Sequence, residues 1–208
     1  MATTQALLTP LTDTKPVVVK VQRELSGPHW CTRFPGRKDT AALTPEFRKK
    51  VESFMAALSA AGAIADPDST LRPKERSYLM HCSWLIAIGK VAPEKVPAAK
   101  EVLIDWVHPT LEESINAAKK MTEKYRINGL AIPPALDSSL HNTGEAIDIN
   151  ISWSGVLKIK NSTGDEVTIE SLPKTGMNPD LYKVGKTYGV IKYFGGDKDK
   201  PHWSATGK

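Results

Sequence analysis

Apolar residues recur at helical spacing through the first part of the chain and at every second position later on. Phe47, Val51, Phe54 and Leu58 mark one face of a helix, because residues three or four apart share a face. Thr44 offers an N-cap oxygen, Pro45 suits the first helical position, and Gly62 ends the run. Ala63 to Leu71 reads as a short connecting segment. Pro73 then opens a second helix expected to reach about Ile88, with Tyr78, Leu79, Cys82, Leu85 and Ile86 as its buried stripe. After the breaks at Pro93 and Pro97, further helices are expected around Ala98 to Val107 and Leu111 to Tyr125.

Beyond Gly129 the period changes. Ile147, Ile149 and Ile151 alternate with Ala146, Asp148 and Asn150, the signature of a half-buried strand. Val156 to Lys160 and Glu166 to Leu172 flank Asn161-Ser162-Thr163-Gly164 as a hairpin. Val190 to Phe194 reads as a last strand before the polar loop Gly195 to Lys200. Helices first and antiparallel strands later predict an α+β fold. The first forty residues are rich in proline and glycine, with one β-prone run at Val17 to Val21. They are read as an irregular extension (1–40) wrapped on a domain spanning 41–208.

Composition narrows the classes. A chain of 208 residues with 40% apolar content can build a core. It holds no apolar run of membrane-spanning length and does not open like a secretory signal. The expectation is a soluble protein without stable membrane insertion, made in the cytoplasm. Any action at the cell wall or periplasm would then follow delivery or lysis. The net charge of +5 comes from interspersed charges, which describes a solvated basic surface with some attraction to polyanions. No basic stripe interleaved with aromatics is present, which argues against nucleic acid. The two cysteines, Cys31 and Cys82, form no metal motif and are read as buried thiols, with a disulfide as the alternative. His81 next to Cys82 makes a poor base for it, since adjacent helical residues diverge.

The chemistry concentrates late in the chain. His141 and Asp148 are seven positions apart across Gly144. On one straight strand they would stand on opposite faces more than about 20 Å apart, so a turn near Gly144 is required to bring them together. Because the isoleucines claim the core face, Asp148 looks the other way. A hydrolytic zinc site needs three nitrogen or oxygen ligands and an open position. His202 can supply the third, and Asp199, three residues before it, is a carboxylate placed to take a proton from the attacking water. Pro201 stiffens the link between them.

The pattern Ser139-x-His141-x-x-Gly144-x-Ala146-x-Asp148, followed by Asp199-x-Pro201-His202-Trp203, resembles the zinc D-alanyl-D-alanine carboxypeptidase family. That family also includes phage endolysin L-alanyl-D-glutamate peptidases and vancomycin-resistance D,D-dipeptidases, and shares its fold with the hedgehog signalling domain. The resemblance runs from about Trp30 to the end. It implies helices packed on a small antiparallel sheet that carries the metal, and one Zn2+ per chain held by His141, Asp148 and His202. It also implies Asp199 as general base, where many members have Glu. Arg72 in Leu71-Arg72-Pro73 matches the arginine that steadies substrate, with Arg76 one turn later as a rival, and Ser139 matches a supporting, substrate-binding residue.

The function so implied is a zinc peptidase cutting amide bonds in peptidoglycan stem peptides, as carboxypeptidase or endopeptidase. A phage endolysin and a secreted antibacterial effector, with a delivery system or an immunity protein as partner, are both compatible with it, and a monomer is favoured. The alternative is a catalytically silent, zinc-containing module that binds the cell wall. Glu145 with Asp148 as a glycosidase pair lacks an opposing partner. His29, His81 and His108 are read as structural or surface residues, Trp203 as packing behind His202, and Trp153 as lying close to the cleft.

Overall fold

The computed structural model describes residues 22–130, 132–136 and 138–208. Among them are four α-helices and eight short strands in mixed order. The β-prone run Val17 to Val21 lies outside the described residues.

Helix α1 (Pro45–Ala60) begins where Thr44 Oγ1 accepts the Phe47 N–H, and it buries Phe47, Val51, Phe54 and Leu58 as the spacing predicts. Gly62 leaves it with a φ of 81°, a conformation glycine adopts without a side-chain clash. Helix α2 (Lys74–Ala87) starts one residue after Pro73. Helix α3 (Leu111–Tyr125) opens with a capping box, in which Thr110 and Glu113 satisfy each other's backbone N–H. A later helix, α4 (Pro179–Thr187), is capped by Asn178, whose side chain accepts the N–H groups of Asp180 and Leu181.

The strands are β1 (Glu24–Leu25), β2 (Ile64–Ser69), β3 (Ile104–Asp105), β4 (Ala146–Ser152), β5 (Leu157–Lys160), β6 (Glu166–Ile169), β7 (Ile191–Lys192) and β8 (His202–Ser204). Strands β2, β4, β8 and β7 pair in that order as an antiparallel sheet, β5 and β6 form the expected hairpin, and β1 pairs with β3 in parallel.

Two expectations are corrected. Ala98 to Val107 is not helical: β3 runs through it, and Val102, Ile104 and Trp106 are buried in alternation, a period of two that belongs to extended chain. Ala63 to Leu71 is no mere connection but holds β2. Its polar sequence and Pro67 hide it, and only pairing with β4 makes it a strand.

Two apolar clusters support the fold. The first joins α1 and α4 to the core face of β4, to the β5–β6 hairpin and to Trp203. The second joins Trp30 and Cys31 to α2, α3, Ile104 and Trp106. Residues 22–40 therefore contribute buried side chains, and Arg76 ties them down by donating to the Cys31 carbonyl at 3.0 Å. Both cysteines are free and buried. No helix among the described residues is long and apolar enough to cross a membrane.

Candidate metal centre

The turn demanded by the His141 to Asp148 spacing is present. Leu140–Asn142 forms one 3-10 turn after Ser139, and Gly144 then reverses the chain with a φ of 72°. A Cβ at Gly144 would lie 3.0 Å from the Ala42 carbonyl oxygen and 3.2 Å from the Thr44 nitrogen. The Gly144 carbonyl accepts the Thr44 N–H, so this turn is docked on the start of α1. Asn142 secures the other side by donating to the Arg72 carbonyl and the Ser77 hydroxyl, both at 2.8 Å.

Beyond the turn, β4 follows the parity read from its sequence. Ile147, Ile149 and Ile151 are buried in the first cluster, so Asp148 faces the opposite side. Trp153 has the same parity as the isoleucines and is buried with them, which corrects its expected place near the cleft. Strand β8 pairs with β4 so that Asp148 and His202 are direct cross-strand partners, and such partners project from one face. Trp203 points the other way and is fully buried against Phe54 and Tyr182, so its packing sets the orientation of β8.

His141, Asp148 and His202 thereby converge, with one ligand-type atom from each lying within 4.8 Å of the others. His141 Nε2 is 3.1 Å from His202 Nδ1, and Asp148 Oδ1 is 3.3 Å from each. The outward nitrogens are both engaged: His141 Nδ1 is 2.7 Å from the Thr70 carbonyl oxygen, and His202 Nε2 is 3.1 Å from the Lys208 main-chain oxygen. A carbonyl oxygen only accepts, so each outward nitrogen carries the proton. In the neutral rings the two inward nitrogens are then bare lone pairs, aimed at each other and at a carboxylate. Asp148 Oδ1 is buried and out of line for a hydrogen bond with either ring.

Three electron-pair donors held this close repel one another unless a cation lies between them. Their separations match the edge of about 3.3 Å that follows from Zn–N bonds of about 2.0–2.1 Å in a tetrahedron. Two histidines and a carboxylate are a donor set suited to zinc, with a fourth position left over. The residues therefore fit the metal that the motif implies. Burial pushes the Asp148 carboxyl up, and only an inward proton or positive charge on the two imidazoles outweighs it and holds the group below the ordinary carboxylate range; a cation between the three donors acts in the same direction.

Asp199 closes a 3-10 turn, Gly196–Asp199, and places Oδ2 3.8 Å from His202 Nδ1. Burial and the nearby Asp148 charge raise its carboxyl above the usual range. Arg72 is half-buried where β2 leads into α2, and its N–H donates to the His141 carbonyl at 3.0 Å. Burial works against its charge, while Asp148 and Asp199 favour it. Arg76 instead donates to the Cys31 carbonyl and stacks over Tyr125. Ser139 stands at the head of the 3-10 turn that bears His141.

Sequence reading missed Lys192. This lysine on β7 is 4% exposed, and its ammonium donates to the main-chain carbonyls of Asp199, Lys200 and His202 while lying 5.3 Å from the Trp203 ring centre. Burial pushes its amine down to about 8. A lysine followed by aromatics in a short apolar run carries no sign of that role. His29, His81 and His108 are elsewhere, bound to Glu24, the Pro134 carbonyl and Ser26. Glu145 accepts from the Thr143 hydroxyl at 3.0 Å.

No protein-family profile matches the chain, and no curated protein matches it. Among solved structures, a mutant of the vancomycin resistance D,D-pentapeptidase VanY from a VanB-type resistance cassette, in complex with Zn(II), is similar. The match has 16% identity and a TM-score of 0.36, and covers 89% of this chain and 85% of that one. A TM-score of that size assigns neither fold nor activity.

Proposed function

We propose that this chain is a zinc-dependent peptidase that hydrolyses amide bonds in peptidoglycan stem peptides. The observation that carries the proposal is the convergence of His141, Asp148 and His202 on one point with Asp199 beside them. The substrate class comes from the resemblance of the two motifs to the zinc D-alanyl-D-alanine carboxypeptidase family, whose members act on such peptides. A zinc ion held by the three residues supplies Lewis acidity toward an amide carbonyl and favours ionisation of water near neutral pH.

The chain's own residues do the rest. Asp199 accepts the proton of the attacking water at its carboxylate and hands it to the departing amine. A carboxylate within reach of the attacking water suits both transfers. Arg72 opposes the negative charge that develops on the carbonyl oxygen as the C–N bond weakens. The Thr70 and Lys208 oxygens keep each imidazole in the tautomer that offers a lone pair inward. Ser139 heads the turn that carries His141 and lines the approach of the peptide.

Purified protein incubated with peptidoglycan is expected to release new amino groups, to stop when zinc is chelated, and to resume when zinc is restored. Asp199→Ala is expected to bind zinc and release none. Stoichiometric zinc without any release from the wild type would instead identify a silent wall-binding module. Mass analysis of defined muropeptide digests then assigns the bond.

A further inference from the structure

The segment after β8 folds back on the candidate metal centre. Ser204 is completely buried, and its Oγ accepts the Gly207 N–H at 2.9 Å while donating to the Lys208 main-chain oxygen at 3.1 Å. The Gly207 carbonyl accepts the Phe194 N–H at 2.9 Å. Gly207 has a φ of 79°, and a Cβ there would lie 2.6 Å from Phe194 Cζ. This turn is thus closed by three hydrogen bonds around a position that only glycine fits. Its result is the placement of one acceptor, the Lys208 main-chain oxygen, 3.1 Å from His202 Nε2.

The two histidines differ in how they are held. His141 is oriented by Thr70, which lies between β2 and α2 and whose own hydroxyl donates to the Asp39 carbonyl. His202 depends on a turn only a few residues beyond itself. An imidazole turns about its Cβ–Cγ bond unless its outer nitrogen is bound, and the same bond selects which inner nitrogen is free.

We propose that the turn Ser204–Lys208 is a positioning element of the metal centre, setting the tautomer and ring angle of His202 so that Nδ1 faces the cation. This rests on the zinc reading of the site. Lys208 acts through its backbone, so its side chain is unimportant to the effect, whereas Ser204 and Gly207 are the side-chain determinants.

The test measures zinc affinity by competition with a chromophoric chelator in the wild type, in Ser204→Ala and in a chain that stops at Gly207, together with the visible spectrum of each protein loaded with cobalt. Both variants are expected to bind zinc about 10–100-fold more weakly, the usual cost of removing a ligand's outer partner. Their cobalt bands are expected to shift, while the melting temperature in chelator of the chain stopping at Gly207 stays with the wild type's. The chain stopping at Gly207 leaves the buried Ser204 intact, so it decides the matter if Ser204→Ala folds poorly. Affinities and spectra unchanged in that chain, with the wild type binding zinc, overturn the role of the turn and leave the peptidase reading standing. A wild type that binds no zinc overturns both.

Discussion

Asp148 and His202 sit directly opposite each other across β4 and β8. That register delivers a carboxylate and an imidazole to the same face of the sheet without any long flexible side chain, and the rest of the site is built around the pair. His141 arrives from the adjoining turn, Asp199 from the turn before β8, and Arg72 from the segment between β2 and α2. Rigid strands hold two of the three donors, so the geometry is set before a ligand arrives.

On the zinc reading, replacing any one of the three donors removes a ligand. His141→Ala, Asp148→Ala and His202→Ala are each expected to weaken zinc binding by more than about 100-fold, beyond the loss from an outer partner alone. Equilibrium dialysis with metal analysis checks this, and a variant that still holds one zinc per chain at wild-type affinity excludes that residue.

In the proposed mechanism Asp199 acts on protons and not on the metal. Asp199→Asn is expected to keep zinc and lose about 100- to 10,000-fold in turnover, the range typical of a general base. Asp199→Glu, which restores the acid common among members of the resembled family, is expected to recover much of it. Rates of amino-group release beside a zinc titration separate the two effects.

Arg72 lies just before α2 and Arg76 in its first turn, and they are committed differently. Arg76→Ala loses a charge-assisted hydrogen bond to the Cys31 carbonyl and its stacking on Tyr125, so it is expected to cost about 2 kcal/mol of stability. Arg72→Ala is expected to depress turnover with little change in stability. Urea unfolding of both variants beside their rates checks the assignment, and the reverse pattern would exchange the roles.

Gly144 permits the reversal between His141 and β4. Gly144→Ala is expected to cost about 1–3 kcal/mol, because the residue needs a positive φ and its Cβ meets the backbone of Ala42 and Thr44. Zinc affinity should fall with it, since the turn aims His141. Denaturant unfolding in chelator, with and without added zinc, measures both.

The thiols are expected to be inert. Burial pushes Cys82 up to about 12 and raises Cys31 as well, so thiolate is scarce at neutral pH and reaction with alkylating agents is slow. Raising the pH toward that value increases the thiolate, and the rate with it. Native protein at pH 8 should resist modification, and denatured protein should show two reactive thiols by mass spectrometry.

Locally encoded features were legible in advance. The start of α1 follows from its cap and apolar stripe, and the span of α3 was expected although its capping box was not read. The parity of β4 follows from its isoleucines. Where pairing with a distant segment decides the structure, the reading failed: β2 carries Asp66, Pro67 and Asp68 at its centre, and the alternation of Val102, Ile104 and Trp106 spans only five residues. Helix α4 did carry an Asn178-Pro179 start signal, which reveals it in retrospect.

Taken alone, the sequence determined which donor atoms exist, their spacing, the turn at Gly144 and the outward face of Asp148. All of these depend on bonds and rotations within a few residues. Only the tertiary structure decided that His202, 61 positions from His141, meets it at 3.1 Å. It also decided that Arg76 is committed to the Cys31 carbonyl and that Lys192 and the Lys208 oxygen hold the His202 loop. The reason is strand register: a shift of one residue between β4 and β8 would turn His202 to the other face, and that register is set by Trp203 packing into a core assembled from distant parts of the chain.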